Sequence, residues 1–163
     1  MAMTFNPHVT LTLALGLAAT AEDLWRRQIS NWIPAAALVG GVAVNWLHQG
    51  WWGGLMALAG AVGGFFVFLV FYVLGGMGGG DVKLMAGFGA LLGAGRLMEA
   101  ALWTAGMGGL LALGVLGYRA LRGKLAGGLP LVATSPELKL QQESIPYAPA
   151  IALGVWLSLV PKG

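Results

Sequence analysis

Cysteine is absent from this 163-residue chain, which excludes disulfide staples, a thiol nucleophile and cysteine-bound zinc. Charge is scarce: 9% of residues are Asp, Glu, Lys or Arg, while 58% are hydrophobic and 28 are glycine. Soluble globular domains do not have that balance, and the chain reads as a protein that crosses a membrane several times. The two histidines, His8 and His48, form no HExxH pair and stand too isolated in sequence for a metal site. No GxSxG is present for a serine hydrolase. No glycine loop ends in the Gly-Lys-Ser/Thr of a phosphate cradle or sits in the strand and helix context of a dinucleotide fold. Neither a metal nor an organic cofactor is expected. Repeats and a separate soluble domain are missing as well. Aspartate is the scarcest acid, occurring only as Asp23 and Asp81.

What remains is apolar. Spanning the hydrocarbon core takes about 20 such residues, and six stretches approach that length: Phe5 to Ala21, Trp32 to Leu47, Trp51 to Leu74, Val82 to Gly95, Ala100 to Gly117 and Pro146 to Val160. The expected fold is therefore all-α, one membrane-embedded domain over residues 1–163 with six transmembrane helices. The fourth stretch is the shortest, about 14 residues or roughly 21 Å of helix, so it tilts into a polar cavity or sits where the bilayer thins. The first ends in Ala19-Thr20-Ala21, which has the look of a signal-peptidase site. No Lys or Arg precedes Val9, however, and the basic pair Arg26-Arg27 follows the apolar run, so a retained helix fits better than a cleaved leader.

The net charge of +3 is not a nucleic-acid signal once its distribution is followed. If the six helices alternate in direction, one side of the membrane holds Arg26, Arg27, Lys83, Arg119, Arg122, Lys124 and Lys139, and the other only Arg96 and Lys162. Positive-inside bias makes the first side cytoplasmic and puts both termini, His8 and His48 outside, with Trp51 and Trp52 in an interfacial aromatic belt. Tyr118 to Ile145 is the one extended polar stretch. Its apolar island, Leu129-Pro130-Leu131-Val132, suits the membrane surface, or an edge for an extended peptide.

The same alternation places both aspartates at the cytoplasmic face, Asp23 just after helix 1 and Asp81 just before helix 4. Asp81 closes the run Gly75 to Lys83, GGMGGGDVK. Glycine there permits positive φ and close approach of main chain to a ligand, and an ionisable residue beside a membrane is a functional-site candidate whose partner must be found. Two carboxylates held together cannot both ionise cheaply, so they share a proton and supply an acid and a base at once. The ionised member takes a proton from water attacking a carbonyl carbon, and the protonated member hydrogen-bonds the carbonyl oxygen. Each aspartate also has a plainer reading. Asp81 can be a helix N-cap, and Asp23 an i,i+4 ion pair with Arg27. Of the glycines, Gly60 with Gly64 and Gly89 with Gly93 suit close packing of helices 3 and 4, while Gly78 and Gly80 belong with the carboxylate. Lys83 either tunes the pair, contacts substrate, or anchors the cytoplasmic end. Arg26 and Arg27 are anchors, or attract an acidic lipid.

The run Gly78-Gly79-Gly80-Asp81-Val82-Lys83-Leu84 resembles the GxGD motif of type IV prepilin peptidases, aspartic proteases of the bacterial inner membrane. Asp23-Leu24-Trp25-Arg26-Arg27-Gln28-Ile29-Ser30-Asn31 resembles that family's other motif, an aspartate followed by basic residues and Ile-Pro-Asn, with Ser30 where proline is usual. That departure touches the turn into helix 2 and not the carboxylate, so Ser30→Pro is expected to leave activity intact. Ile145-Pro146-Tyr147-Ala148-Pro149 looks like the family's entry into its last helix. The resemblance covers nearly the whole chain. It implies cleavage of the basic leader from prepilins at the cytoplasmic face, with Asp23 and Asp81 as the catalytic pair, Gly78 and Gly80 shaping the loop, and prepilins and the lipid bilayer as partners. Longer members add an N-terminal cytoplasmic portion with cysteine pairs, associated with N-methylation. This chain is similar to the short, peptidase-only form found with tight-adherence (Flp-type) pili, so no methyltransferase activity is expected. Presenilin-type proteases also use GxGD but pair it with Tyr-Asp, and neither aspartate here follows tyrosine. An archaeal preflagellin peptidase differs chiefly in substrate. The rival from another class is a small transporter or cation-binding protein using the Asp81 loop. It calls for polar residues deep in the spans, where only Asn45 and Thr104 stand.

Overall fold

The computed structural model describes residues 7–74, 77–125 and 147–160, among which the regular structure is entirely helical. Four helices follow in order: α1 (Pro7–Arg26), α2 (Trp32–Val73), α3 (Gly79–Leu125) and α4 (Ala148–Ser158). Two of them are not straight rods. Gly50 in α2 (φ 61°, ψ −149°) and Gly93 in α3 (φ 70°, ψ 168°) have dihedrals far from helical values, in a region open essentially to glycine alone.

Each of these glycines reverses the chain. A straight helix would separate positions 45 and 53 by about 12 Å, yet Gly53 lies against the Asn45 carbonyl, and the Trp46 and Trp51 rings meet edge to face at 5.6 Å. Likewise Met85 and Leu97, about 18 Å apart along a straight helix, both lie against Gly64. The break at Gly50 falls in the connection expected between the second and third apolar stretches. The one at Gly93 comes earlier than the expected end at Gly95, so helix resumes well before Ala100. Helix α3 also runs through Tyr118 to Leu125, into the stretch expected to be a polar connection; the island at 129–132 lies outside the described residues.

Small residues fill the interior and large ones face out. Ala19, Ala37, Ala57 and Ala100 are fully buried, whereas Leu47 (83% exposed), Val73 (75%) and Leu113 (69%) point outward with many other large apolar side chains. In water such a surface would be an aggregation hazard; in lipid, where apolar burial between helices gives little advantage, small residues that let backbones approach are what packs. Gly60 and Gly89 meet backbone to backbone, and a Cβ on either would overlap the other's carbonyl. Of the two expected small-residue pairs, Gly60, Gly64 and Gly89 therefore do pack α2 against α3, while Gly93 turns the chain. Helices Trp32–Val73 and Gly79–Val115 are long and apolar enough to cross a membrane.

Asn45, the polar residue deepest in α2, is spent on structure. Its Nδ2 donates to the carbonyls of Gly41 (2.9 Å), Ala90 (3.0 Å) and Leu91 (3.3 Å). The last two belong to the turn before Gly93, whose carbonyls lose helical partners where the chain reverses.

Candidate active site

Helix α1 ends by a local device. Arg27 takes a left-handed conformation (φ 51°) and returns its N–H to the Asp23 carbonyl at 2.9 Å, the αL form of helix ending usually given to glycine. Asp23 thus belongs to the last turn of α1 and not to a connection after it. Its side chain is 7% exposed, and Oδ2 accepts the Ala148 N–H at 3.0 Å. Because Ala148 opens α4, that carboxylate sits at a helix N-terminus, where unpaired N–H groups and the helix dipole favour an anion. The surface ion pair with Arg27 is not what holds Asp23; Arg27 acts on it only as a nearby positive charge.

Asp81 is placed by the mirror-image device, at the start of a helix. Its N–H donates to the Gly78 carbonyl at 3.1 Å, and its Oδ2 accepts the Gly78 N–H at 3.1 Å. Gly78 is therefore the N-cap, and the Asp81 side chain, three residues on, supplies one half of a capping box, the other half being a backbone bond because glycine has no side chain. Asp81 lies in the first turn of α3, ahead of the apolar stretch from Val82, and is 7% exposed. Among the described residues, positive φ at glycine is confined to Gly50 and Gly93, so Gly78 and Gly80 do not use the left-handed freedom expected of them. Added Cβ atoms would lie 3.4 Å from Asp81 Oδ2 at Gly78 and 3.4 Å from Ile29 at Gly80. They would fit without overlap, and one would cover the carboxylate.

The two motifs meet through these contacts. Gly80 rests on Ile29 of the α1–α2 connection, and Lys83 Nζ, an exposed group, donates to Asn31 Oδ1 at 3.0 Å. The Ser30 N–H donates to Glu22 Oε2 at 2.8 Å, which holds the Glu22 carboxyl below its ordinary range. Proline at position 30 would remove that N–H, so Ser30 has a specific bond in this chain that reading the sequence did not assign. Glu22, Ile29, Asn31 and the Ala148 N–H were likewise not assigned roles. The available signals were the acid next to Asp23 and the proline after Ala148, since Pro149 cannot donate and leaves the N–H before it as the donor on offer.

Burial is the main influence on both aspartates. It raises Asp23 above the ordinary carboxylate range, opposed by the Ala148 N–H and Arg27. It raises Asp81 to about 6, opposed by the Gly78 N–H and reinforced by the negative charge of Asp23. The two carboxylates are therefore close enough to repel. Asp81 keeps its proton to higher pH than an ordinary carboxyl, chiefly because it is buried and further because the negative charge of Asp23 is near. The pair titrates as a unit, with one member able to accept a proton and the other to donate one.

Among the described residues, no three His, Asp or Glu side chains gather as ligands for a metal ion. His8 and His48, isolated in sequence, come together in space with ring centroids 5.2 Å apart, but at the other end of α1 from Asp23.

The model of a family described as the type IV leader peptidase family matches residues 10–113, a stretch that holds Asp23 and Asp81. No curated protein and no solved structure matches the chain.

Proposed function

Because the chain belongs to the type IV leader peptidase family, we propose that it is an aspartic endopeptidase whose Asp23 and Asp81 remove the basic leader from Flp-type prepilins. The observation that carries this is the convergence of the chain's only two aspartates. They come from different helices, are both buried, and one raises the pKa of the other. In this reading the chain crosses the bacterial inner membrane six times with its termini outside, and the carboxylates lie at the cytoplasmic face, where a prepilin's leader meets its apolar helix.

The chemistry follows from the unequal environments. Asp23, in its ionised form, takes a proton from water as the water oxygen bonds to the scissile carbonyl carbon. Asp81, still protonated, hydrogen-bonds the carbonyl oxygen and stabilises the charge that develops on it. Collapse of the tetrahedral intermediate breaks the C–N bond, and the proton held by Asp23 passes to the leaving amine. No covalent enzyme intermediate forms. Gly78 keeps the approach to Asp81 free of a side chain, and Lys83, fixed on Asn31, joins the two motif segments beside the pair.

Co-expression of a Flp-type prepilin with wild type, Asp23→Asn or Asp81→Asn tests this, cleavage being followed as a mobility shift and enzyme abundance in the membrane being checked in parallel. Both isosteric changes are expected to abolish cleavage at undiminished abundance. Normal cleavage by either variant would reduce that aspartate to a capping group and end the dyad mechanism.

A further inference from the structure

Buried hydroxyls normally find an acceptor, and on a helix the nearest is the carbonyl four residues back. Thr12 of α1 uses it, donating to the His8 carbonyl at 2.6 Å. Thr20 of the same helix does not: its Oγ1 is shielded from solvent and has no hydrogen-bond partner among the described residues. Leaving a hydroxyl in that state is destabilising, so it needs a reason. Thr104 Oγ1 is also unpartnered, and there packing supplies the reason, since Thr104 is pressed against Gly154 where α3 crosses α4. Thr20 instead stands one turn before Asp23.

Positions three apart on a helix share a face, with Cβ atoms about 5–6 Å apart, and a helical side chain leans back over the turn that precedes it. By that geometry Thr20 and Asp23 share one face of α1, with the Asp23 side chain leaning toward the turn that carries Thr20. Since Asp23 Oδ2 already takes the Ala148 N–H, Oδ1 is the oxygen left for a second donor. Around this carboxylate stand the charge of Arg27 at the end of α1, the Ala148 N–H of α4 and the Asp81 carboxyl of α3. A neutral donor from α1 adds support for the ionised form without adding charge.

We propose that Thr20 is a positioning residue for Asp23, its hydroxyl donating to that carboxylate during the reaction and keeping it ionised and aimed at the attacking water. This rests on the dyad proposed above. The threonine proton stays on Oγ1 throughout; only the proton from water moves to Asp23.

The test compares Thr20→Val, Thr20→Ser and Asp23→Asn in the full-length membrane enzyme, with a Flp-type prepilin as substrate. Valine keeps the shape and loses the hydroxyl. Thr20→Val is expected to keep or raise the melting temperature in detergent while turnover falls about tenfold, the scale of a lost hydrogen bond to a charged group. The acid limb of its pH profile moves to higher pH, because Asp23 loses a donor to its charged form. Thr20→Ser, which restores the hydroxyl, recovers turnover. Unchanged turnover and an unchanged acid limb in Thr20→Val would overturn the proposal and leave Thr20 as packing. A loss that serine does not recover would also overturn it. If Asp23→Asn still cleaves, the dyad itself fails and the role of Thr20 falls with it.

Discussion

The chain turns in two different ways at the two ends of the bundle. At the end marked by His8, His48 and Arg96, α2 and α3 each reverse at a single glycine, Gly50 or Gly93, and the neutral amide of Asn45 steadies the turn before Gly93. At the end marked by Asp23 and Asp81, the connections are held by side chains: Asp23 on Ala148, Asp81 on Gly78, Glu22 on Ser30 and Lys83 on Asn31. A turn made by one glycine joins two helices and offers no functional groups. A turn held by carboxylates gathers buried titratable groups at helix termini, where their pKa values are shifted, and such places are suited to acid–base chemistry. The difference separates glycines that shape the backbone from polar residues that serve the site.

The sharpest break of this comparison is to remove one titratable side chain at each end. Asp81→Asn is expected to lower turnover by about 10²–10⁴-fold, the range for loss of a general acid. His48→Gln, an exposed residue beside the Gly50 turn, leaves turnover within about twofold. Quantified cleavage of a co-expressed prepilin checks both, and equal losses would erase the functional distinction between the ends.

Next in size is backbone strain. Gly93→Ala forces a side chain onto φ 70° and should cost roughly 1–3 kcal/mol of stability, read as a lower melting temperature in detergent. Gly80→Ala, where φ is not left-handed and an added Cβ would lie 3.4 Å from Ile29, costs less. The opposite ranking would show that the GxGD loop, and not the Gly93 turn, is where glycine is conformationally required.

Titration gives a subtler distinction. The Asp81 pKa of about 6 lies above the unfolded value of about 3.9, so the folded protein holds an extra proton between them. Stability from this group is full below the unfolded value and is lost as pH rises through about 6. Melting temperature should therefore fall across that window, and the slope should flatten in Asp81→Asn. In Asp23→Asn the repelling charge is gone, so the Asp81 carboxyl titrates at lower pH, measurable by the infrared band of its protonated form. An unmoved band would mean that the carboxylates do not interact.

The smallest effect expected is at Ser30. Proline there removes the N–H that Glu22 accepts, and a slight drop in melting temperature should accompany nearly unchanged turnover, because Asp23 and Asp81 are held by other bonds. Wild-type melting would show that the Glu22 contact carries no stability.

Much of this was legible in residue types. Composition dictated a helical chain with a lipid-compatible surface, and the two motifs singled out Asp23 and Asp81 by residue type and spacing alone. Gly60, Gly64 and Gly89 were readable as packing residues because small side chains recur on one helix face. Helix ends were less legible. Asp23 was expected after α1 and Asp81 before its helix, yet each lies one turn inside, because an arginine in the left-handed region ends α1 and a capping box starts α3. Nothing in residue type announces that Arg27 will take a conformation usually left to glycine.

What the sequence determined by itself was the inventory: one pair of aspartates, apolar stretches, glycines at small-residue spacing, and neither a cysteine nor a GxSxG serine. The tertiary structure decided which groups share an environment. It brought the α4 N-terminus to Asp23, placed Ile29 on Gly80, and raised both carboxylates above their ordinary range by burying them. It also chose Gly50 and Gly93, among the glycines of the described residues, as the points where α2 and α3 reverse. Composition and spacing act along the chain, whereas burial and repulsion between charges depend on distance through space, and only the folded chain sets that distance.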